Sequence, residues 1–413
     1  MREMKVSGIE WLSEIPAKWE LSRLGVLFTT RNCKVSDEDY APLSVTMGGV
    51  VPQLSHVAKS DDHANRKLVQ KGDFVINSRS DRRNSCGFAP SDGSVSLINT
   101  VCIPRSGFDS RYFGYLFGSE QWADEFYSWG HGIVADLWTT SWNEMKRIML
   151  PVPPLDEQQR IADYLDAKCA EIDRAIEAAE KSIEEYKAYK ESIVSRSVTK
   201  GLEKHVEMKD SGVEWLGWIP AHWSKSPIKR MFYISKTIAG KTGFDVLSIT
   251  QRGLKVKDIT SGEGQLAADY SNYQIVEPGD FAMNHMDLLT GWIDVSDRSG
   301  VTSPDYRVFK ARREDIDKRY YLRVFQYYYF GRIFYGFCKG ISSKGRWRLP
   351  ADAFRNMQAP VPPLDEQRRI ADYLEVKSTM IDKAIEAKRA IVDDLKAFKQ
   401  SLIYEVVTGK REV

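Results

Sequence analysis

PVPPLDEQQRIADYL, from Pro151 to Leu165, returns as PVPPLDEQRRIADYL, from Pro360 to Leu374, with 14 of 15 positions identical. Working outward, GIEWLSEIPAKW (Gly8 to Trp19) returns as GVEWLGWIPAHW (Gly212 to Trp223), identical at 8 of 12. Between these anchors the match loosens: LSVT at Leu43 to Thr46 answers LSIT at Leu247 to Thr250, and KGDFVIN at Lys71 to Asn77 answers PGDFAMN at Pro278 to Asn284. The 413 residues are therefore one plan written twice, with a period far too long for a solenoid. Four segments follow: a globular part over residues 1–150, a hinge and helix over 151–206, a second globular part over 207–359, and a second hinge and helix over 360–413.

The residues after each hinge predict a long helix. A proline pair is followed by Asp156 or Asp365, which the spacing places as N-caps, because a carboxylate there accepts from first-turn backbone N–H groups. From Leu165 a strict 4-3 spacing picks out Cys169, Ile172, Ile176, Ala179, Ile183, Tyr186, Lys190 and Ile193. The second copy gives Leu374, Ser378, Ile381, Ile385, Lys388, Val392, Leu395, Lys399 and Leu402. Apolar residues at this spacing, with Glu, Lys and Asp on the other faces, form a coiled-coil seam. A helix of about 40 residues is roughly 60 Å long and too narrowly striped to stand alone, so the two helices are expected to pair with each other, antiparallel.

The globular segments read differently. Short apolar runs such as Phe74 to Ile76, Ser94 to Ile98 and Val246 to Ile249 are punctuated by Gly, Asp, Asn and Pro, the pattern of strands and loops. Helices are expected to interleave around Phe113 to Phe126 and Lys318 to Phe334. The class is α+β. Trp11, Trp19, Trp215 and Trp223 in the two openings could stack on bases, but the same aromatic set at the start of both copies better suits a shared domain nucleus. PVPPLDEQ could be a polyproline-type recognition peptide; a helix signal directly after it favours a rigid hinge.

Composition narrows the class further. With 42% hydrophobic and 28% charged residues the chain can bury a sizeable core, and no apolar run approaches the roughly 18 to 20 residues of a membrane span. The opening MREMKVSGIEWL has no apolar stretch resembling a signal peptide. Five cysteines without a CxxC pair argue against a disulfide framework or structural zinc and point to a reducing, cytoplasmic compartment. Lys and Arg against Asp and Glu count 17 to 18 in residues 1–150, 9 to 12 in 151–206, 23 to 17 in 207–359 and 10 to 10 in the rest. The only real excess, 23 − 17 = +6, lies in the second globular part.

Catalytic signals fail on inspection. Ala239-Gly240-Lys241-Thr242 resembles the end of a phosphate loop, but the first glycine such a loop needs is Ser235. The six histidines show no HExxH or other ligand spacing, so no metal site is expected, and there is no GxSxG elbow. Glu-x-Lys triplets such as Glu185 to Lys187 and Glu386 to Lys388 fall on the helices as solvated charge patterning.

Nucleic-acid signals survive better. The polar loop Ser78 to Asn84 concentrates Arg79, Arg82 and Arg83 with Ser78 and Asn84; arginine reads guanine bidentately, Asn reads adenine, and both contact phosphate. A solvated loop paired with local acids is the alternative. In the second copy, Lys339 to Arg348 carries Lys339, Ser342, Ser343, Lys344, Arg346 and Arg348 with two glycines. Its counterpart in the first copy, Trp129 to Thr140, is nearly neutral.

The doubled W-L-x-x-I-P-x-x-W opening, the doubled PxPPLxEQxxI hinge and the two long helices resemble the specificity subunit of type I restriction-modification enzymes over essentially the whole chain. The resemblance implies two target recognition domains, each reading one half of a bipartite, asymmetric DNA sequence. It implies helices that act as spacer and docking platform for methyltransferase (modification) subunits, which in turn hold the restriction (endonuclease and translocase) subunits. It further implies a non-catalytic chain that binds no cofactor itself, with S-adenosylmethionine, ATP and Mg on the partners. Base-reading positions vary within the family, so the DNA-contacting candidates rest on loop chemistry alone. The net charge of −1 in residues 1–150 is unusual for an isolated DNA binder and suggests that partners supply phosphate contacts. Two other classes remain: a stand-alone tandem DNA-binding regulator, which does not account for so apolar a spacer, and a coiled-coil scaffold, which does not account for the Arg-rich loops.

Overall fold

The computed structural model describes residues 2–54, 64–79, 82–132, 138–251, 253–259, 267, 269–289, 291–338 and 347–413. By contact the chain gathers into two compact units, Met1–Glu180 with Arg389–Val413, and Lys181–Lys388. The segments read from sequence are lengths of chain; each unit collects one globular part and a stretch of both long helices.

In the first unit a four-stranded antiparallel sheet runs in the order Cys86–Phe88, Phe74–Asn77, Asn99–Pro104, Phe28–Thr30. Helices Ser110–Phe117 and Glu120–Ser128 cover it; the helical stretch expected around Phe113 to Phe126 is thus two helices, broken where Gly118 ends one and Ser119 caps the next. Phe28, Phe74, Phe113, Phe117 and Trp122 form the core between them, with Phe74 and Phe117 ring centroids 4.4 Å apart. Burying each such phenyl ring contributes roughly 1.5–3 kcal/mol. The hinge strand Met149–Val152 pairs with Glu20–Arg23 directly after the Trp-rich opening, so opening and hinge, distant in sequence, are hydrogen-bonded neighbours.

The second unit repeats this plan. Its four-stranded sheet runs Ile293–Val295, Phe281–Met283, Arg307–Ala311, Phe232–Ser235, covered by the helix Lys318–Phe330 around Phe232, Phe281, Phe309, Tyr321 and Phe325. The hinge strand Gln358–Val361 pairs with Ser224–Pro227. Trp19 and Trp223 are fully buried, while Trp11 and Trp215 pack partly buried against the two cores, which places the tryptophans in the domain nuclei.

The long helices span Leu155–Lys200 and Leu364–Val407. Each begins one residue before the expected cap. The Pro154 carbonyl accepts from the Gln158 N–H and the Pro363 carbonyl from the Gln367 N–H, both at 2.9 Å. The caps are therefore prolines, and Asp156 and Asp365 lie inside the first turn, where their charge complements the helix dipole rather than closing the end. In the first unit Asp173 meets Lys399 at 2.7 Å and Glu180 meets Lys396 at 3.2 Å; rising numbers on one helix meet falling numbers on the other, the antiparallel sense. In the second unit Lys190 meets Asp382 at 2.7 Å, and Ile183, Ile381 and Ile385 cluster, with Ile193 packed against them. Leu165, Ile172, Ile176, Val392 and Leu402 are buried in the first unit's core, with Leu395 partly buried beside them; Leu374 is buried in the second.

Each globular part also grips the helix end that belongs to its unit. Tyr112 donates to the Val407 carbonyl at 2.8 Å; its counterpart Tyr320 donates to the Val198 carbonyl at 3.0 Å. The last turn of each long helix is therefore tied to the globular part with which it packs.

Candidate nucleic-acid interface

In the first unit the strand Phe74–Asn77 delivers the chain to Ser78. The Ser78 hydroxyl lies 2.8 Å from that of Thr100 on the neighbouring strand, its carbonyl accepts from the Thr140 N–H at 3.0 Å, and the residue is buried. Arg79 bridges antiparallel to Thr139, and its backbone N–H donates to the Asn77 side chain at 3.0 Å. Beyond it Arg83, half-exposed, forms an ion pair with Asp124. Arg82 is exposed, and its carbonyl accepts from the Tyr127 hydroxyl at 3.3 Å. Asn84 turns the chain in the left-handed region, φ 59°, a conformation Asn tolerates better than most residues. Ser78 therefore departs from the expected exposed loop: its hydroxyl is committed to Thr100 inside the domain, whereas Arg79, Arg82 and Arg83 lie at or near the surface.

In the second unit Lys339, Ser342, Ser343, Lys344 and Arg346 lie outside the described residues. Arg348 is exposed and stands at the edge of a cleft of about 550 Å³ lined by Lys236, His285, Asp305, Arg307, Arg348 and Arg355 among others. Arg307 is only 4% exposed. Its Nη2 donates to the Leu349 carbonyl at 2.8 Å and its guanidinium sits 4.9 Å from the centroid of the Phe354 ring, but its buried Nη1 has no partner among the described residues. His285 is likewise buried, with Nδ1 unpartnered among the described residues. Burial, reinforced by the nearby Arg307 and Arg348 charges, pushes the imidazole pKa down to about 3, so His285 is neutral near pH 7. Burial also lowers Arg307 to about 10, which leaves it charged at neutral pH.

The two corners occupy the same place in the two copies. Phe28 faces Pro104 as Phe232 faces Ala311, and Ile76 faces Thr100 as Met283 faces Arg307. The Thr140 N–H donates to the Ser78 carbonyl as the Leu349 N–H donates to that of His285. Hence Ser78, Thr100 and Thr139 answer His285, Arg307 and Arg348. The described ends of the loops singled out from sequence fall at this corner: Ser78 and Arg79 directly follow the sheet strand Phe74–Asn77 in the first copy, and Arg348 precedes Leu349, whose N–H donates to the His285 carbonyl, in the second. Sequence reading missed Lys236, His285, Arg307 and Arg355. His285 was visible as the residue after the repeated GDFxxN run, but Arg307 sits inside an apolar strand, RVFKA, and only the fold brings it to the cleft.

No family model matches the chain. Two proteins of Methanocaldococcus jannaschii are similar in sequence. The type I restriction enzyme MjaVIII specificity subunit is 27% identical over 286 residues, covering 65% of this chain and 63% of that protein. The putative type I restriction enzyme MjaX specificity subunit is 25% identical over 425 residues, covering 99% and 87%. The chain thus spans a little under two thirds of the first relative and most of the second. Among solved structures, a chain from work on complex assembly and conformational transition of the type I R-M system superposes with a TM-score of 0.70 at 15% identity, covering 96% of this chain and 99% of that one. The HsdS subunit from Thermoanaerobacter tengcongensis gives 0.50 at 17% identity, covering 96% and 98%. At these identities the likeness is one of fold.

Proposed function

We propose that the chain is a specificity subunit of a type I restriction-modification enzyme, like the relatives it resembles in sequence, and that its two globular parts read the two halves of a bipartite, asymmetric DNA site. One observation carries the reading: the duplicated fold presents the same corner twice with different side chains, Ser78, Thr100 and Thr139 in one copy and His285, Arg307 and Arg348 in the other. One scaffold with two different surface chemistries suits two different half-sites, each contacted in its own way.

The long helices act as the spacer and as the platform on which methyltransferase subunits dock, with restriction subunits held in turn. Exposed apolar side chains on the second long helix support this role: Val376 and Met380 in the second unit, Ile391 and Phe398 in the first. Exposed apolar patches on a helix mark surfaces for a protein partner. The chain itself is non-catalytic and acts in the cytoplasm; methyl transfer from S-adenosylmethionine and ATP- and Mg-dependent translocation and cleavage belong to the partners.

Methylation profiling in cells tests the division of labour. Arg79→Ala or Arg82→Ala should degrade recognition at one half-site only, and Arg346→Ala should affect the other only. Degradation of the same base positions by mutants in both parts would replace two readers with one composite site. Gel shifts with and without the methyltransferase subunit separate the remaining classes: tight, specific binding by the chain alone marks a stand-alone regulator, and no DNA binding in either case marks a scaffold.

A further inference from the structure

We propose that the basic cleft of the second unit seats one backbone phosphodiester of DNA, held by Lys236, Arg348 and Arg355 above a buried Arg307, and that the first unit, with Thr100 and Thr139 at the places of Arg307 and Arg348, lacks this anchor. The inference rests on the reading that the chain contacts DNA, and adds which half of the site carries this salt-sensitive anchor.

Charge is the first ground. Among the described residues four cations line the cleft against one carboxylate, Asp305, and Arg355 pairs with the exposed Asp352 at 3.4 Å. Such a cluster gathers without matching acids only at a cost that an anion removes. The second ground is polar satisfaction. A buried guanidinium nitrogen and a buried imidazole nitrogen, both on cleft residues, have no partner among the described residues, and buried polar groups without partners are rare. A phosphodiester offers acceptor oxygens to Arg307 Nη1 and to a neutral His285 in its Nδ1–H tautomer, as well as charge to the exposed Lys236 and Arg348.

Position separates a phosphate from a base edge. Arg307 is pinned by the Leu349 carbonyl and the Phe354 ring and is too deeply buried to extend into a groove. It can stabilise an anion brought to it but cannot follow a base pair. In the first unit the positions equivalent to His285, Arg307 and Arg348 carry no charge: the Ser78 and Thr100 hydroxyls lie 2.8 Å apart, and Thr139 stands where Arg348 stands in the second. The charge count runs the same way, 23 − 17 = +6 over residues 207–359 against 17 − 18 = −1 over residues 1–150.

The test uses the full chain assembled with methyltransferase subunits, titrated by fluorescence anisotropy with specific and scrambled duplexes across a salt series. Lys236→Gln and Arg348→Gln alter exposed side chains and leave the core intact. Each is expected to weaken both duplexes alike and to reduce the slope of log Kobs against log salt by about 1, while Thr139→Gln at the equivalent place in the first unit leaves the slope unchanged. An unchanged slope in both cleft variants, with wild-type binding intact, overturns the proposal and leaves the DNA reading standing. A selective change in base preference overturns it too, since that marks a base contact. Inorganic phosphate, followed by phosphorus NMR line broadening with wild type and Arg348→Gln, forms a second arm: loss of its binding with an unchanged DNA slope identifies a free-phosphate site and rejects the DNA anchor. Failure of the wild-type assembly to bind any duplex removes both readings together.

Discussion

Gln158 joins the hinge to the globular part through Asp109: its side-chain oxygen accepts from the Asp109 backbone N–H at 2.9 Å, and its amide nitrogen donates to the Pro153 carbonyl, also at 2.9 Å. Asp109 in turn caps the helix Ser110–Phe117. The second copy builds the same clasp from Gln367, Asp317 and Pro362, with Asp317 capping Lys318–Phe330. The glutamine of the repeated PPLDEQ run is therefore the piece that fixes the first turn of each long helix against a domain helix.

Truncating that glutamine leaves a backbone N–H and a proline carbonyl without their partners. Gln158→Ala is expected to destabilise the first unit by about 1–3 kcal/mol, and Gln367→Ala the second by a similar amount. Urea unfolding followed by tryptophan fluorescence checks this; an unchanged midpoint in both variants would show that water replaces the amide at no cost.

The seam gives a sharper outcome. Ile176 is buried among the first unit's helix residues, so Ile176→Asp places an unpaired carboxylate in an apolar contact, a loss of several kcal/mol. The adjacent Ala175 is exposed, and Ala175→Asp serves as the control. Thermal melting and size-exclusion analysis of the complex should show Ile176→Asp losing stability, assembly and activity on every target. Retained assembly with altered sequence preference would contradict the seam assignment.

On the outer face of the second long helix the expectation reverses. Met380 and Phe398 are 60% and 50% exposed, so Met380→Asp and Phe398→Asp should change chain stability by only about 0.5 kcal/mol or less while weakening capture of the methyltransferase subunit. Pull-down with purified subunits reads this directly. Undiminished capture by both variants would move the docking surface elsewhere.

Much of the fold was legible because its signals are local and doubled. The hinge and opening repeat nearly verbatim, and the 4-3 spacing names seam positions without reference to anything distant. The helix starts moved by two residues, from expected caps at Asp156 and Asp365 to Pro154 and Pro363, which cap with a backbone carbonyl and no side-chain signal. The candidate site was only half legible. Arg79, Arg82, Arg83 and Arg348 announce themselves in polar runs, but Arg307 is written as a strand residue and acquires its meaning from Leu349 and Phe354, more than 40 positions away. Ser78 reads as a loop serine until Thr100 on the next strand claims its hydroxyl. Residues whose role is set by cross-strand and loop-to-strand contacts carry no signature in a one-dimensional reading.

The same corner predicts a pH dependence confined to the second unit. His285 has a folded pKa of about 3 against 6.5 for the free group, chiefly through burial and secondarily through Arg307 and Arg348. A group depressed in this way is neutral in the folded state while the unfolded chain takes up a proton below about pH 6.5. Its contribution to stability is therefore complete above that pH and is lost as the pH falls towards 3, with a slope of at most one proton, roughly 1.4 kcal/mol per pH unit. His285→Gln keeps a polar side chain that does not titrate, and should flatten this part of the acid limb relative to wild type. Unfolding free energies measured by urea between about pH 7.5 and about pH 4.5 decide it. Parallel curves for the two proteins would mean that His285 gains its proton in the folded state, through an opening of the cleft that lets solvent reach the ring.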